Sequence, residues 1–185
     1  MSNIAIYGGS FDPPHLGHVM VVTHLLLNDP SVDQVLIVPC FEQRGKHLTD
    51  FDHRVTLCSR AFSWLPRVSV STVERDLGGE SLTVRLVEHL ANVNAEAKFR
   101  FVMGADLLET APSWEGWSTI ERLAPPLVIG RAGISPLVPG DPTPISPMVS
   151  STIVRKALSE QDYRSAGRFL PVSVCQYIEQ NRLYR

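Results

Sequence analysis

Apolar positions along this chain alternate between short dense runs and longer stretches at helical spacing. Residues 3–7 form a β-prone run that ends at Gly8-Gly9, and over residues 15–28 Leu16, Met20, Val22, Leu25, Leu26 and Leu27 predict a largely buried helix. The same alternation predicts strands at 34–38, 68–70, 99–103 and 127–129, and helices at 52–64 and 82–91 with a Trp-bearing helical stretch at 114–123. Strands alternating with helices imply an α/β fold: a Rossmann-like, doubly wound parallel sheet with helices on both faces and ligands beyond the carboxyl ends of the strands. Over residues 132–149 the pattern lapses, because Pro136, Pro139, Pro142, Pro144 and Pro147 break both helix and strand; this is a Pro-rich connector. Beyond it Ser151 is placed to cap a helix through Leu158, and residues 172–181 give a last amphipathic helix. With no internal repeat and no second periodic block, residues 1–185 read as a single domain.

Composition narrows the function classes. Hydrophobic residues make up 44% of the chain and charged residues 19%, which fits an ordinary globular protein rather than a disordered or fibrous one. Seventeen basic against nineteen acidic side chains give a net charge of −2, so a non-specific nucleic-acid binder is disfavoured while a local anion site is not. Cys40, Cys58 and Cys175 are widely spaced without a C-x-x-C pair, and read as reduced and buried rather than as a disulfide or zinc framework. The greasiest stretch, residues 19–27, is short and interrupted by Thr23 and His24, so the expectation is a cytoplasmic protein that does not engage the membrane.

The strongest chemical feature is Gly8-Gly9-Ser10-Phe11-Asp12-Pro13-Pro14-His15-Leu16-Gly17-His18, at the turn from the first strand into the first helix. Glycines there let the backbone approach a phosphate, and the unpaired amides and positive end of the helix favour negative charge. His15 and His18, three residues apart, are expected on one side of the first turn, with Gly17 leaving room for a ligand between them. The pair lacks the H-E-x-x-H arrangement of a zinc site, so no protein-held metal is expected. A Walker A loop, a G-x-S-x-G elbow and the G-x-G-x-x-G dinucleotide fingerprint all fail on residue identity. Ser150-Ser151-Thr152 before a helix, with Arg155 one turn on, is either a second phosphate clamp or an N-cap with a surface arginine. Asp106, after Met103-Gly104-Ala105, either reaches the crevice or caps a helix, and Trp114 and Trp117 suit core aromatics as well as a stacking platform.

The eleven-residue turn closely resembles the signature of the H-x-G-H nucleotidyltransferases and, among them, of the nicotinate mononucleotide adenylyltransferases. Phe101 to Asp106 looks like that family's strand-borne G-A-D element, and Ser150 to Arg155 resembles its second signature, S-S-T-x-x-R. Val38-Pro39 followed by Lys46, His53-Arg54, Pro112 before Trp114, Arg131-Ala132-Gly133, and the ending Leu170-Pro171 to Leu183-Tyr184 are similar too. The resemblance implies adenylyl transfer from ATP to a pyridine mononucleotide, nicotinate mononucleotide first, forming nicotinate adenine dinucleotide and pyrophosphate, with Mg²⁺ carried mainly on the ATP phosphates and no nucleic-acid partner. It implies that His15, His18, Arg155 and Lys46 are catalytic, and that Gly8, Gly9, Ser10, Phe11, Gly104, Asp106, Ser150, Ser151 and Thr152 join them around ATP. Ser10, Lys46, Thr83, Trp114 and Arg131 are implied at the mononucleotide, Trp114 by stacking on the pyridine ring. Leu82 replaces the tyrosine that the family carries in Ser-Tyr-Thr. Other readings stay open: an adenylyltransferase for nicotinamide mononucleotide or phosphopantetheine, and a nucleotide-binding module without turnover. The oligomeric state is not legible.

Overall fold

The computed structural model of the chain describes residues 2–131, 145–146 and 149–185. Six strands, β1 (Asn3–Gly9), β2 (Gln34–Pro39), β3 (Val68–Val70), β4 (Lys98–Gly104), β5 (Pro126–Arg131) and β6 (Ile145–Ser146), form one sheet in the order 3-2-1-4-5-6, and every pairing is parallel. Eight helices accompany them among the described residues: α1 (Leu16–Asn28), α2 (Phe51–Phe62), α3 (Val73–Leu77), α4 (Thr83–Val93), α5 (Trp117–Leu123), α6 (Ser151–Ser159), α7 (Tyr163–Gly167) and α8 (Val172–Gln180).

Both faces of the sheet are covered, as the side-chain alternation shows. Ala5, Val35, Ile37, Val102, Leu127 and Ile129 point into one core with α1, α2, α6 and α8. Their neighbours Ile6, Val38, Phe101 and Met103 point into a second core with α3, α4 and α5. A strand buried on both sides reads as a continuous apolar run, which is why β1, β2 and β4 were legible without an alternating pattern. The order of the strands reverses between β1 and β4, and in such sheets the crevice beyond that point holds the ligand.

Several expectations need correction. Within the Pro-rich connector, Ile145–Ser146 forms a short strand beside Gly130 and Arg131; two residues between Pro144 and Pro147 can still pair at a sheet edge. The helix predicted from 114 begins at Trp117, because Gly116 sits at φ 68° and Trp114 is extended. Ser150, not Ser151, caps α6, its hydroxyl accepting from the Ile153 amide at 3.3 Å. The cysteines are free, but only Cys58 is fully buried. Among the described residues no helix is long and apolar enough to cross a membrane.

Candidate functional site

A cavity of about 700 Å³ opens beyond the carboxyl ends of β1, β4 and β5. Its floor is made by Gly8, Gly9 and Ser10 from β1 and the turn after it, Met103 and Gly104 from β4, and Ile129 and Gly130 from β5. One wall carries His15, Gly17 and His18 at the start of α1 with Ser150 and Ser151 at the start of α6; the other carries Ser81, Leu82 and Thr83 with Trp114. Two helix N-termini on one wall supply the amides and dipoles that favour phosphate.

The two histidines are stacked, ring centroids 3.7 Å apart. His15 caps α1, and its backbone N–H donates to His18 Nδ1 at 3.1 Å. An acceptor nitrogen bears no proton, so the neutral His18 ring carries its proton on Nε2 and acts from there as a donor. Gly17 lines the cavity, and its lack of a side chain also serves the local packing. A Cβ there would lie 2.9 Å from Val149 Cγ1 and 3.0 Å from His15 Nδ1, so Val149 and the His15 imidazole both pack where a side chain would stand. Phe11, 2% exposed, packs edge-on to His18 at 5.0 Å and supports the ring from the core side.

At the β4 end, Asp106 is exposed, lines the cavity and caps no helix; Gly104 precedes the short 3₁₀ turn that carries it. A Cβ on Gly104 would collide with the Asp106 carboxylate, so the glycine is what lets that carboxylate fold back. Trp114 is half-buried, edge-on to Phe101 at 6.2 Å and to Trp117 at 6.0 Å, and only Trp114 of the two tryptophans lines the cavity. Thr83 opens α4, whose N-cap, Leu82, supplies no side-chain cap.

Four expected residues, Phe11, Lys46, Thr152 and Arg155, lie outside the described lining. Phe11 is in the core. Arg155 donates from Nη1 to the Asp12 carbonyl at 2.6 Å and from Nη2 to Thr152 Oγ1 at 3.4 Å, which ties both residues to the turn before α1. Lys46 lines an adjoining cavity of about 490 Å³, which shares Gln43, Arg44 and Glu80 with the larger one. Arg131 closes β5, and its side chain lies outside the described residues.

The far wall is knitted from two loops, a feature absent from the sequence reading. Phe41 N–H donates to Ser81 Oγ at 2.8 Å, Ser81 N–H to the Glu42 carbonyl at 3.0 Å, and Arg44 Nη2 to Glu80 Oε2 at 2.8 Å. Ser10 Oγ donates to Gln43 Oε1 at 3.1 Å, which joins this loop to the glycine turn. Behind it Arg54, 1% exposed, donates to the carbonyls of Thr49, Ser10, Cys40 and Phe41 at 2.7–3.2 Å. Arg44 and Glu74 therefore belong to the cavity although the sequence reading singled out neither. Arg44 stands two residues before Lys46 and was the available signal. Burial pushes the Glu74 carboxyl up, against the opposing pull of the Ser81 hydroxyl and Arg85.

The profile of the cytidylyltransferase-like family matches residues 6–157. A relative from Anaeromyxobacter dehalogenans (strain 2CP-C), named a probable nicotinate-nucleotide adenylyltransferase, is 38% identical over 98% of this chain and 96% of its own. One of the same name from Myxococcus xanthus is 31% identical, covering 98% of this chain and 94% of its own. The solved structure of Plasmodium falciparum nicotinic acid mononucleotide adenylyltransferase complexed with NaAD superposes with a TM-score of 0.83 at 22% identity, over 100% of this chain and 98% of that one, and so shares the fold. The profile spans the glycine turn, the β4 element and the start of α6, and the relatives span nearly the whole chain; the protein belongs to the cytidylyltransferase-like family and, within it, to the nicotinate-nucleotide adenylyltransferases.

Proposed function

We infer that the protein transfers the adenylyl group of ATP to the 5′-phosphate of nicotinate mononucleotide, forming nicotinate adenine dinucleotide and pyrophosphate in NAD biosynthesis. The observation that carries the reading is one cavity with two unlike walls. His15, His18, Ser150 and Ser151 gather at two helix N-termini on the first, and Trp114 with the opening of α4 stands on the second. The first suits a polyphosphate. The second suits a pyridine ring with an anionic substituent, because Trp114 offers a π-face and the amides at Thr83 end a helix with no side-chain cap.

In the reaction an oxygen of the mononucleotide phosphate forms a bond to the α-phosphorus of ATP, and the bond from that phosphorus to the bridging oxygen breaks as pyrophosphate leaves. The attacking phosphate is already anionic at neutral pH, its second pKa being about 6, so alignment and charge neutralisation are the tasks left to the protein. His18 donates from Nε2 to the α-phosphate as charge builds there, and His15, stacked on it and lining the same wall, faces the phosphates with it. Ser10, Ser150 and Ser151 contact the triphosphate, Asp106 and Gly104 border the adenosine, and Arg155 with Thr152 steadies the turn from outside the cavity. Arg44, which lines the cavity, shares with Lys46 the recognition of the mononucleotide phosphate, and the family resemblance adds Arg131, at the end of β5, to the mononucleotide contacts. Among the described residues the nucleotide end offers hydroxyls and imidazoles and no cluster of carboxylates, a donor set that would suit Mg²⁺ brought in on the ATP phosphates. Bound there, Mg²⁺ would neutralise triphosphate charge. On this reading residues 1–185 act as one nucleotidyltransferase domain working on cytoplasmic substrates.

The test is dinucleotide and pyrophosphate formation by purified protein with Mg²⁺-ATP, with nicotinate and nicotinamide mononucleotides compared at matched concentrations. Preference for the acid is expected. Equal or better turnover of the amide would overturn the substrate assignment, and no turnover with either would overturn the enzyme.

A further inference from the structure

Asp12 lies inside the glycine turn, between the β1 end and His15, and is 2% exposed. Three described elements distant in sequence converge on it. Tyr184 OH donates to its Oδ1 at 2.6 Å, the Thr49 amide donates to its Oδ2 at 3.2 Å, and Arg155 Nη1 donates to its backbone carbonyl at 2.6 Å. The next residue is held too, since Ser151 Oγ donates to the Pro13 carbonyl at 2.9 Å. Tyr184 reaches this point from the turn after α8 by adopting φ 62°, and Arg182 in the same turn sits at φ 53°. A bulky residue rarely takes the left-handed region unless its surroundings hold it there. On the other side of the bond, Phe11, at φ 47°, packs its ring against His18. Burial, and next the charge of Asp12, push the Tyr184 phenol up in pKa, so it stays a hydrogen-bond donor.

We propose that Tyr184 is a positioning residue for the adenylyl-transfer step: through Asp12 it fixes the turn that sets His15 and His18 against the α-phosphate. The proposal rests on the function inferred above. Its basis is that a carboxylate with both oxygens engaged cannot shift without breaking a short buried bond, and the turn it belongs to enters α1 three residues later at His15. Small displacements of aligned groups are felt in the chemical step more than in binding.

The experiment uses the full chain with Tyr184→Phe, which keeps the ring and its packing and removes one hydroxyl. Tyr177→Phe is the control. It also loses a buried-side hydroxyl contact, to His53 Nδ1 at 2.9 Å, but in the α2–α8 contact outside the cavity lining. Tyr184→Phe should lower kcat about tenfold with the ATP KM changed by less than about threefold, while Tyr177→Phe leaves kcat unchanged. Turnover by Tyr184→Phe within about twofold of wild type, or an equal loss in Tyr177→Phe, would overturn the proposal. Wild-type turnover in the same assay separates this failure from failure of the functional reading, which would show as an inactive parent. If Tyr184→Phe is recovered only as insoluble protein, Asp12→Asn and Asp12→Ala take its place. Asn keeps an oxygen for the phenol and should retain several-fold more kcat than Ala; Asn no better than Ala would sink the idea.

Discussion

His18 spends one ring nitrogen on its neighbour's backbone and keeps the other for chemistry, so the two roles can be separated by substitution. Asparagine places its amide oxygen near where Nδ1 stands and can go on accepting from His15 N–H, whereas glutamine reaches toward the Nε2 position and can donate there. His18→Asn should therefore keep near-native thermal stability and lose about 100-fold in kcat, the usual cost of one transition-state hydrogen-bond donor. His18→Gln should retain more activity while giving up the contact that completes the cap of α1. Turnover and Tm measured on the two variants check this, and the opposite order of activity would show that the cap rather than the donor is what catalysis needs. Residue identity at this turn was legible because eleven consecutive residues agree with one another. The packing around Gly17 was not, since Val149, one of the two side chains that fill its space, lies 132 positions away.

Among the elements, α6 shows where reading along the chain stops. Ser150, Ser151 and Thr152 are each competent N-caps, and local chemistry does not choose among them. A tertiary contact does: the Ser151 hydroxyl donates to the Pro13 carbonyl, which leaves Ser150 to accept from the Ile153 amide. Ser150→Ala should then cost about 1 kcal/mol in folding stability and raise the ATP KM, because the same residue lines the cavity. Chemical denaturation and initial rates at varied ATP check both, and an unchanged midpoint would move the cap back to Ser151. The long elements, β1, α1, β2, α2, α4 and β4, all appear within a few residues of their predicted bounds. The missed ones, α3, α7 and β6, span five, five and two residues, too few for a period of 3.6 or 2 to register.

Over the whole molecule, the sheet wall of the cavity was legible and the loop wall was not, for one physical reason. A doubly wound sheet puts its crevice at the reversal of strand order whatever the loops contain, so the site of the glycine turn followed from the alternation of elements. The opposite wall depends on pairings such as Phe41 with Ser81, forty positions apart, and on Arg54 holding four carbonyls from beneath. That wall includes a buried acid whose ionisation bears on global stability. Glu74 is 5% exposed, and burial raises its pKa above the ordinary 4.5, with the Ser81 hydroxyl and Arg85 opposing. Folded protein therefore holds a proton on Glu74 over a range where unfolded protein has released it, so stability falls as pH rises from about 4.5 through the raised value. Glu74→Gln removes the titration while keeping an oxygen for Ser81. The Tm of the variant relative to wild type should be lowest in acid and climb as pH passes through that window, levelling off above it. Thermal melts from pH 4 to 8 measure the difference directly. A difference that falls with pH would mean that Arg85 and Ser81 outweigh desolvation and that this wall favours the charged carboxylate.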